Sequence, residues 1–226
     1  IRLGERREKW HDQTTGPAGA MFNALFLASF ALSLVLAWQA YQHAMADVGD
    51  EGSALTALYN DVGGLPNGDR LRGEIRDYAN VVVNQEWPRL AYGGSAEAAD
   101  LVLRHISEEI LTVPTQQESG QATRLETIKV FDALNGARDL RLQDANGGLP
   151  SGLLICLVIT AAVVPVHGLL VGLPHSLSSV IPLLTEAALL AGAVFVVFLI
   201  RRPYQGTLDI GPDQLRLAIA RLDTAG

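Results

Sequence analysis

Glu186 is the residue whose type and position most invite chemistry. It lies about ten residues into an apolar run that stops at Arg201-Arg202-Pro203, roughly 15 Å along a helix axis at 1.5 Å per residue. A carboxylate at that depth in a bilayer is costly unless paired, protonated or wetted, so such groups face a bundle interior or a cavity. Glu186 is therefore a pore-lining or proton-relay candidate; the plainer reading is a carboxyl that hydrogen-bonds between helices. His167 lies in the preceding apolar run, and an antiparallel hairpin would bring it to a similar depth. A neutral His–carboxyl pair would satisfy both groups, and histidine is the side chain most readily moved across neutral pH. Asn23 and Gln39 are the costlier polar residues of the first apolar run and complete the intramembrane candidates. Ser29 and Ser33 are four apart and share a face with Ala37, a small-residue pattern that favours close helix packing over an ion path.

Outside the apolar runs, Arg138 and Arg141 flank Asp139 near the end of a polar helix. They could draw anions toward a pore mouth or hold lipid headgroups; a solvated helix face or an intersubunit ion pair is the bland alternative. Arg201-Arg202 reads as an interfacial anchor, and His175 as an interfacial turn residue. Pro165 and Pro182 read as bends within their helices. His105 with Glu108 and Glu109 resembles half of a metal site, but a second histidine at helical spacing is absent, so it reads as a solvated face. GxSxG, HExxH, Walker and GxGxxG patterns are absent. No catalytic residue, metal ligand or cofactor is assigned. The lone cysteine, Cys156, excludes an intrachain disulfide and a CxxC zinc site.

The elements that must position these groups follow from the charge pattern. The 226 residues are 49% hydrophobic and 18% charged, with mean hydropathy +0.22. The shortage of charge is local: no Asp, Glu, Lys or Arg lies between Asp12 and Asp47 or between Asp144 and Glu186. Three runs are long enough to cross a hydrocarbon core as helices: Ala18–Tyr41, Leu149–Leu173 and Leu177–Ile200. Trp38 and Tyr41 sit at one end of the first run, where amphipathic rings suit the headgroup level. Gly172-Leu173-Pro174-His175-Ser176 breaks the last two runs into a hairpin. Basic residues occur in comparable number on both sides, so the positive-inside rule favours neither orientation. The net charge of −7, with no basic stripe, argues against nucleic acid as a partner.

The polar segment reads as an antiparallel bundle of about four helices. Leu71, Ile75, Tyr78 and Val82 form one stripe, Leu103, Ile106 and Ile110 a second, and Leu125, Ile128 and Phe131 a third. Pro88 should end or kink the second helix, and Thr115-Gln116-Gln117-Glu118 is a capping box for the last. The first and last bundle helices are expected to run on from the first span and into the second. Gly211-Pro212 should start a short tail helix. The expected organisation is all-α and multi-pass. A charged membrane-proximal segment (1–17) leads into a spanning helix (18–43), an extramembrane helical bundle (44–147), a spanning hairpin (148–200) and a tail with a short helix (201–226).

Several phrases carry a resemblance. Leu55-Thr56-Ala57-Leu58-Tyr59 precedes Leu65-Pro66; then come Glu86-Trp87-Pro88, Leu134-Asn135-Gly136-Ala137-Arg138-Asp139-Leu140-Arg141-Leu142, Gly148-Leu149-Pro150 and Arg202-Pro203-Tyr204-Gln205-Gly206. In this order they resemble the bacterial bestrophin-like family. The resemblance implies a multi-pass protein of the bacterial plasma membrane, typically with four spans, so that the charged opening would follow an earlier span. It also implies kinship with pentameric anion channels, hence a homo-oligomer in a lipid bilayer with anions as its cargo. The first functional expectation is an anion channel. The alternative is a non-conducting accessory or sensor whose helical domain binds a partner. The least favoured is a membrane enzyme using His167 and Glu186 on a lipid-like substrate.

Overall fold

A computed structural model describes residues 2–114, 118–171, 177–205 and 208–224. Every regular element among the described residues is helical: α1 (Arg2–Asp61), α2 (Gly68–Val81), α3 (Trp87–Leu90), α4 (Glu97–Thr112), α5 (Glu118–Asn146), α6 (Ser151–Val171), α7 (Leu177–Ile200) and α8 (Asp213–Thr224). The chain divides into two compact units, Ile1–Gln39 with Leu149–Arg201, and Ala40–Gly148 with Arg202–Gly226. Helix α1 supplies its first part to one unit and its last part to the other.

The spanning unit consists of the first part of α1 with α6 and α7. These helices are long and apolar enough to cross a membrane. Phe26, Leu157, Val164, Leu190 and Val197 form its small core. The small-residue face of α1 is buried as its spacing predicts: Ser29, Ser33 and Ala37 are all enclosed. The Ser29 hydroxyl donates to the Phe26 carbonyl at 2.9 Å and lies 3.3 Å from the Thr160 hydroxyl. Most of the remaining apolar surface is exposed, including Leu27, Ile181, Leu184, Leu189 and Phe195. Such a surface is at home in hydrocarbon, where helices satisfy their own peptide groups and lipid tails replace a protein shell. Pro165 and Pro182 lie inside α6 and α7. The hairpin turn Gly172–Ser176, with His175, and the capping-box residues Thr115–Gln117 lie outside the described residues.

The helical unit packs the end of α1 with α2, α4, α5 and α8. Leu71, Ile75, Tyr78 and Val82 are fully buried, and Leu103, Ile106 and Ile110 nearly so. The third stripe differs from expectation. Leu125 is 57% exposed, and the buried face of α5 is Thr127, Phe131, Leu134, Arg138 and Arg141. The reason is helical phase. Consecutive three-residue steps walk about 60° round the helix each time, whereas alternating steps of four and three hold one face.

One junction differs from expectation, and two others gain detail. Helix α5 does not run into the second span. It closes where Gly147 N–H donates to the Gln143 and Asp144 carbonyls at 2.7 and 3.2 Å, and α6 begins after Pro150. Near Pro88, expected to end or kink the second helix, the regular α-helix is interrupted. A π-helical turn, Val82–Glu86, joins α2 to α3, with Pro88 directly after it as the second residue of α3. The tail carries the short helix expected after Gly211-Pro212, and this helix packs on the helical unit. Leu215, Ala218 and Leu222 of α8 share the core of the helical unit, and the Arg76 guanidinium donates to the Leu222 carbonyl at 2.9 Å. Gly93, at φ +70, lets the chain leave α3; a Cβ there would lie 2.4 Å from the Asn146 side chain.

Candidate functional site

The helical unit holds a buried network of charge. On α1, Ala44, Val48, Glu51, Leu55 and Leu58 follow one buried face, so Glu51 occupies a core position. On α5 the same phase carries Arg138 and Arg141 inward. The π-helical turn aims Glu86 between them. Arg141 is fully buried; its Nε donates to Glu51 Oε2 at 2.5 Å, and its Nη2 to Glu51 Oε1 at 3.1 Å and Glu86 Oε1 at 2.6 Å. Arg138 clasps Glu86 through Nη2 and Nε at 2.6 and 3.2 Å, and its Nη1 reaches Asp100 at 2.6 Å. The Tyr78 hydroxyl donates to Glu51 at 2.9 Å, and the Ala96 N–H to Glu86 at 3.1 Å. The Trp87 ring lies 5.1 Å from the Arg141 guanidinium carbon and meets the Tyr204 ring edge-on at 6.0 Å. The Trp87 indole N–H is taken by the Ile210 carbonyl at 3.1 Å.

The electrostatics fix these charges in place. Burial pushes the Glu86 carboxyl up, but the Arg138 hydrogen bond, the Arg141 charge and the Ala96 N–H outweigh it and hold it below the usual carboxylate range. Burial likewise works against both guanidiniums, and their carboxylate partners more than offset it. Burial, then the Glu51 charge, pushes the Tyr78 phenol well up. Each group is therefore held in its usual ionisation state at neutral pH. Such a cluster ties α1, α4, α5 and the π-helical turn together.

The spanning unit is built differently. An open groove of about 750 Å³ lies between α1 and α7. Phe26, Leu27, Phe30, Pro182 and Leu189 line it, and Glu186 is the ionisable group among its lining residues. His167 is elsewhere. Its ring packs edge-on against Phe22 at 5.4 Å and against Gly19, where an added Cβ would lie 3.0 Å from the imidazole. Among the described residues no hydrogen bond joins His167 to Glu186. Asn23 and Gln39 are exposed on α1.

The family model of the bestrophin-like domain matches residues 1–215. The chain belongs to the bestrophin-like family. No curated protein and no solved structure matches it. In this bestrophin-like chain, three of the phrases that carry the resemblance meet in the ion-pair network. Glu86-Trp87-Pro88 supplies a carboxylate and a ring, the α5 phrase both arginines, and Arg202-Pro203-Tyr204 the second ring, whose hydroxyl donates to the Ala44 carbonyl at 3.4 Å.

The sequence-derived candidates are thus dispersed. Arg138 and Arg141, expected to face anions or headgroups, are turned inward onto Glu51, Glu86 and Asp100 within one chain. Glu186 gains a groove but not His167. Glu51 and Glu86 were not singled out from the sequence. Their signal was available for Glu51, an acid in phase with a buried stripe. It was hidden for Glu86, whose direction depends on the extra residue of a π-helical turn.

Proposed function

We propose that this bestrophin-like protein assembles with copies of itself in a cell membrane, the plasma membrane of a bacterium, and passes anions along the axis of the assembly. Three spans from one chain enclose no lumen, so any conduit needs several subunits. One observation carries the assembly: Glu186 lies in an open groove, and Asn23 and Gln39 are exposed on α1, on a surface that a lone chain would leave to lipid. Polar groups there gain most by facing other copies or a wetted cavity. Anions as cargo are supported by the family alone. A carboxyl such as Glu186 offers no positive charge to attract them and fits a packing or gating role.

A second reading is a non-conducting accessory whose helical unit binds a partner. It is favoured by the ion pairs of Arg138 and Arg141 with Glu51, Glu86 and Asp100, which offset both positive charges within the chain. An enzyme built on a His167–Glu186 pair is the least supported reading, since no hydrogen bond joins the two among the described residues.

Purified protein reconstituted in liposomes should pass chloride, and images of the detergent particle should show a ring with an axial hole. Rings that leave vesicles tight at several pH values and voltages would overturn conduction and leave the accessory reading. Monomers in mild detergent would overturn the assembly itself.

A further inference from the structure

Helices α2 and α4 bring three ligand-type side chains to one point. Oxygens of Glu74 and Glu109 and a ring nitrogen of His105 all lie within 4.8 Å of one another. His105 and Glu109 are four apart on α4 and so share a face; Glu74 arrives from α2. His105 Nε2 is 3.3 Å from Glu74 Oε1 and 3.8 Å from Glu109 Oε1. A tetrahedral ion with bonds of ~2.1 Å holds its ligands about 3.4 Å apart. The two edges at His105, 3.3 and 3.8 Å, are close to that spacing, and the third lies within 4.8 Å.

A monovalent cation now sits among these atoms. The Arg70 guanidinium is 2.9 Å from Glu109 Oε1, 3.3 Å from Glu74 Oε1 and 3.2 Å from His105 Nε2. It serves the imidazole badly. With a lone pair on Nε2, the ring faces two carboxylate oxygens; with a proton there, it faces an arginine N–H. Neither state suits all three neighbours. An ion that takes a lone pair from each of Nε2, Glu74 and Glu109 satisfies them together.

Two further oxygens point the same way. Glu74 Oε2 and Asn67 Oδ1 are buried without a hydrogen-bond partner, while Asn67 Nδ2 donates to Glu109 Oε2 at 3.2 Å. The Glu74 and Glu109 side chains are only 17% and 15% exposed, so little water competes for them. The free Glu74 oxygen gives the carboxylate a second tooth for an ion. Arg70, 63% exposed, is free to swing aside.

We propose that Glu74, His105 and Glu109 bind a divalent transition-metal ion of the zinc class, with water completing its shell and Asn67 orienting Glu109. Magnesium and calcium prefer all-oxygen shells, whereas a mixed imidazole–carboxylate set suits zinc and its neighbours. An ion held by α2 and α4 together stabilises the folded helical unit in proportion to its occupancy.

The test uses the full chain in detergent, with its affinity tag removed and stripped by a chelator. Zn²⁺ is titrated by calorimetry and Co²⁺ by visible absorption. One ion per chain is expected. His105→Ala should weaken binding by ~10-fold or more and abolish the cobalt bands. Arg70→Ala removes the competing cation and should tighten binding about fivefold. An adventitious surface ion would ignore both substitutions. Unchanged zinc affinity in His105→Ala, or weaker affinity in Arg70→Ala, would overturn the site. His105 is half exposed and Arg70 more so, so both variants are expected to fold; thermal unfolding of the stripped proteins checks this.

Discussion

The two units treat buried carboxylates in opposite ways. In the helical unit, Glu51 and Glu86 are wholly enclosed, and each accepts hydrogen bonds from arginine and from one further donor. In the spanning unit, Glu186 lies half buried in an open groove whose other walls are mostly apolar. The first unit is complete within one chain. The second leaves its polar groups to surroundings that a single chain does not supply. Only 6% of the third span's most apolar window is buried inside the fold, against a helical unit whose core residues are almost all fully enclosed. The ion pairs fix helix register in the first unit, and under the proposed assembly the groove of the second would face a neighbouring copy.

The sharpest way to break this comparison is to remove Arg141. Arg141→Ala leaves Glu51 and part of Glu86 as uncompensated buried charge, so the helical unit should lose about 3–5 kcal/mol. Glu186→Gln alters a carboxyl that makes no ion pair among the described residues, and the unfolding free energy should move by no more than about 0.5 kcal/mol. Urea unfolding in detergent, followed by far-UV circular dichroism, measures both. Equal losses in the two variants would erase the distinction between the units.

A matched pair of apolar truncations sharpens it further. Ile106 is fully buried in the helical unit, and Leu184 is 63% exposed on α7. Ile106→Ala should cost about 2–5 kcal/mol through lost burial and a cavity. Leu184→Ala should leave the unfolding of the isolated chain within about 0.5 kcal/mol. Should Leu184→Ala instead dissociate a detergent-stable assembly on size-exclusion chromatography, its exposed face would be the contact between copies.

The gross fold was legible because its signals are collective. Three uncharged runs of spanning length, and stripes such as Leu71-Ile75-Tyr78-Val82, each repeat one physical cue many times. The site was legible only in pieces. Arg138 and Arg141 look like surface charges by type, and only their phase with Phe131 and Leu134 shows that they point inward. Glu86 depends on a π-helical turn, which shifts the helical phase by one residue and leaves no mark in composition. Glu74 meets His105 and Glu109 through the packing of α2 on α4, a contact between residues about thirty positions apart that no local pattern encodes. Whether His167 hydrogen-bonds to Glu186 was not legible either, because equal depth in a hairpin does not fix the rotation of either helix.

The smallest effect expected separates the two kinds of carboxylate by pH. Burial, then the neighbouring Asp47, pushes the Asp144 carboxyl up to about 6, with His43 pulling the other way; a free aspartate titrates near ~3.9. Between about pH 4 and 6 the folded chain then binds a proton that the unfolded chain releases, so stability falls as pH rises through that window and stays lowered above it. Glu86 behaves oppositely. Its carboxyl is held below the usual range, so its contribution is present at neutral pH and is lost as pH falls through its lowered folded value. Asp144→Asn should therefore stabilise the helical unit at pH 7 by about 1 kcal/mol or less, since water screens a partly exposed group. At pH 4 the gain should vanish. A difference between Asp144→Asn and the unsubstituted chain that stays constant from pH 4 to 7 would show that Asp144 is not crowded by Asp47. Glu86 and its arginines would then be the main source of the unit's pH dependence.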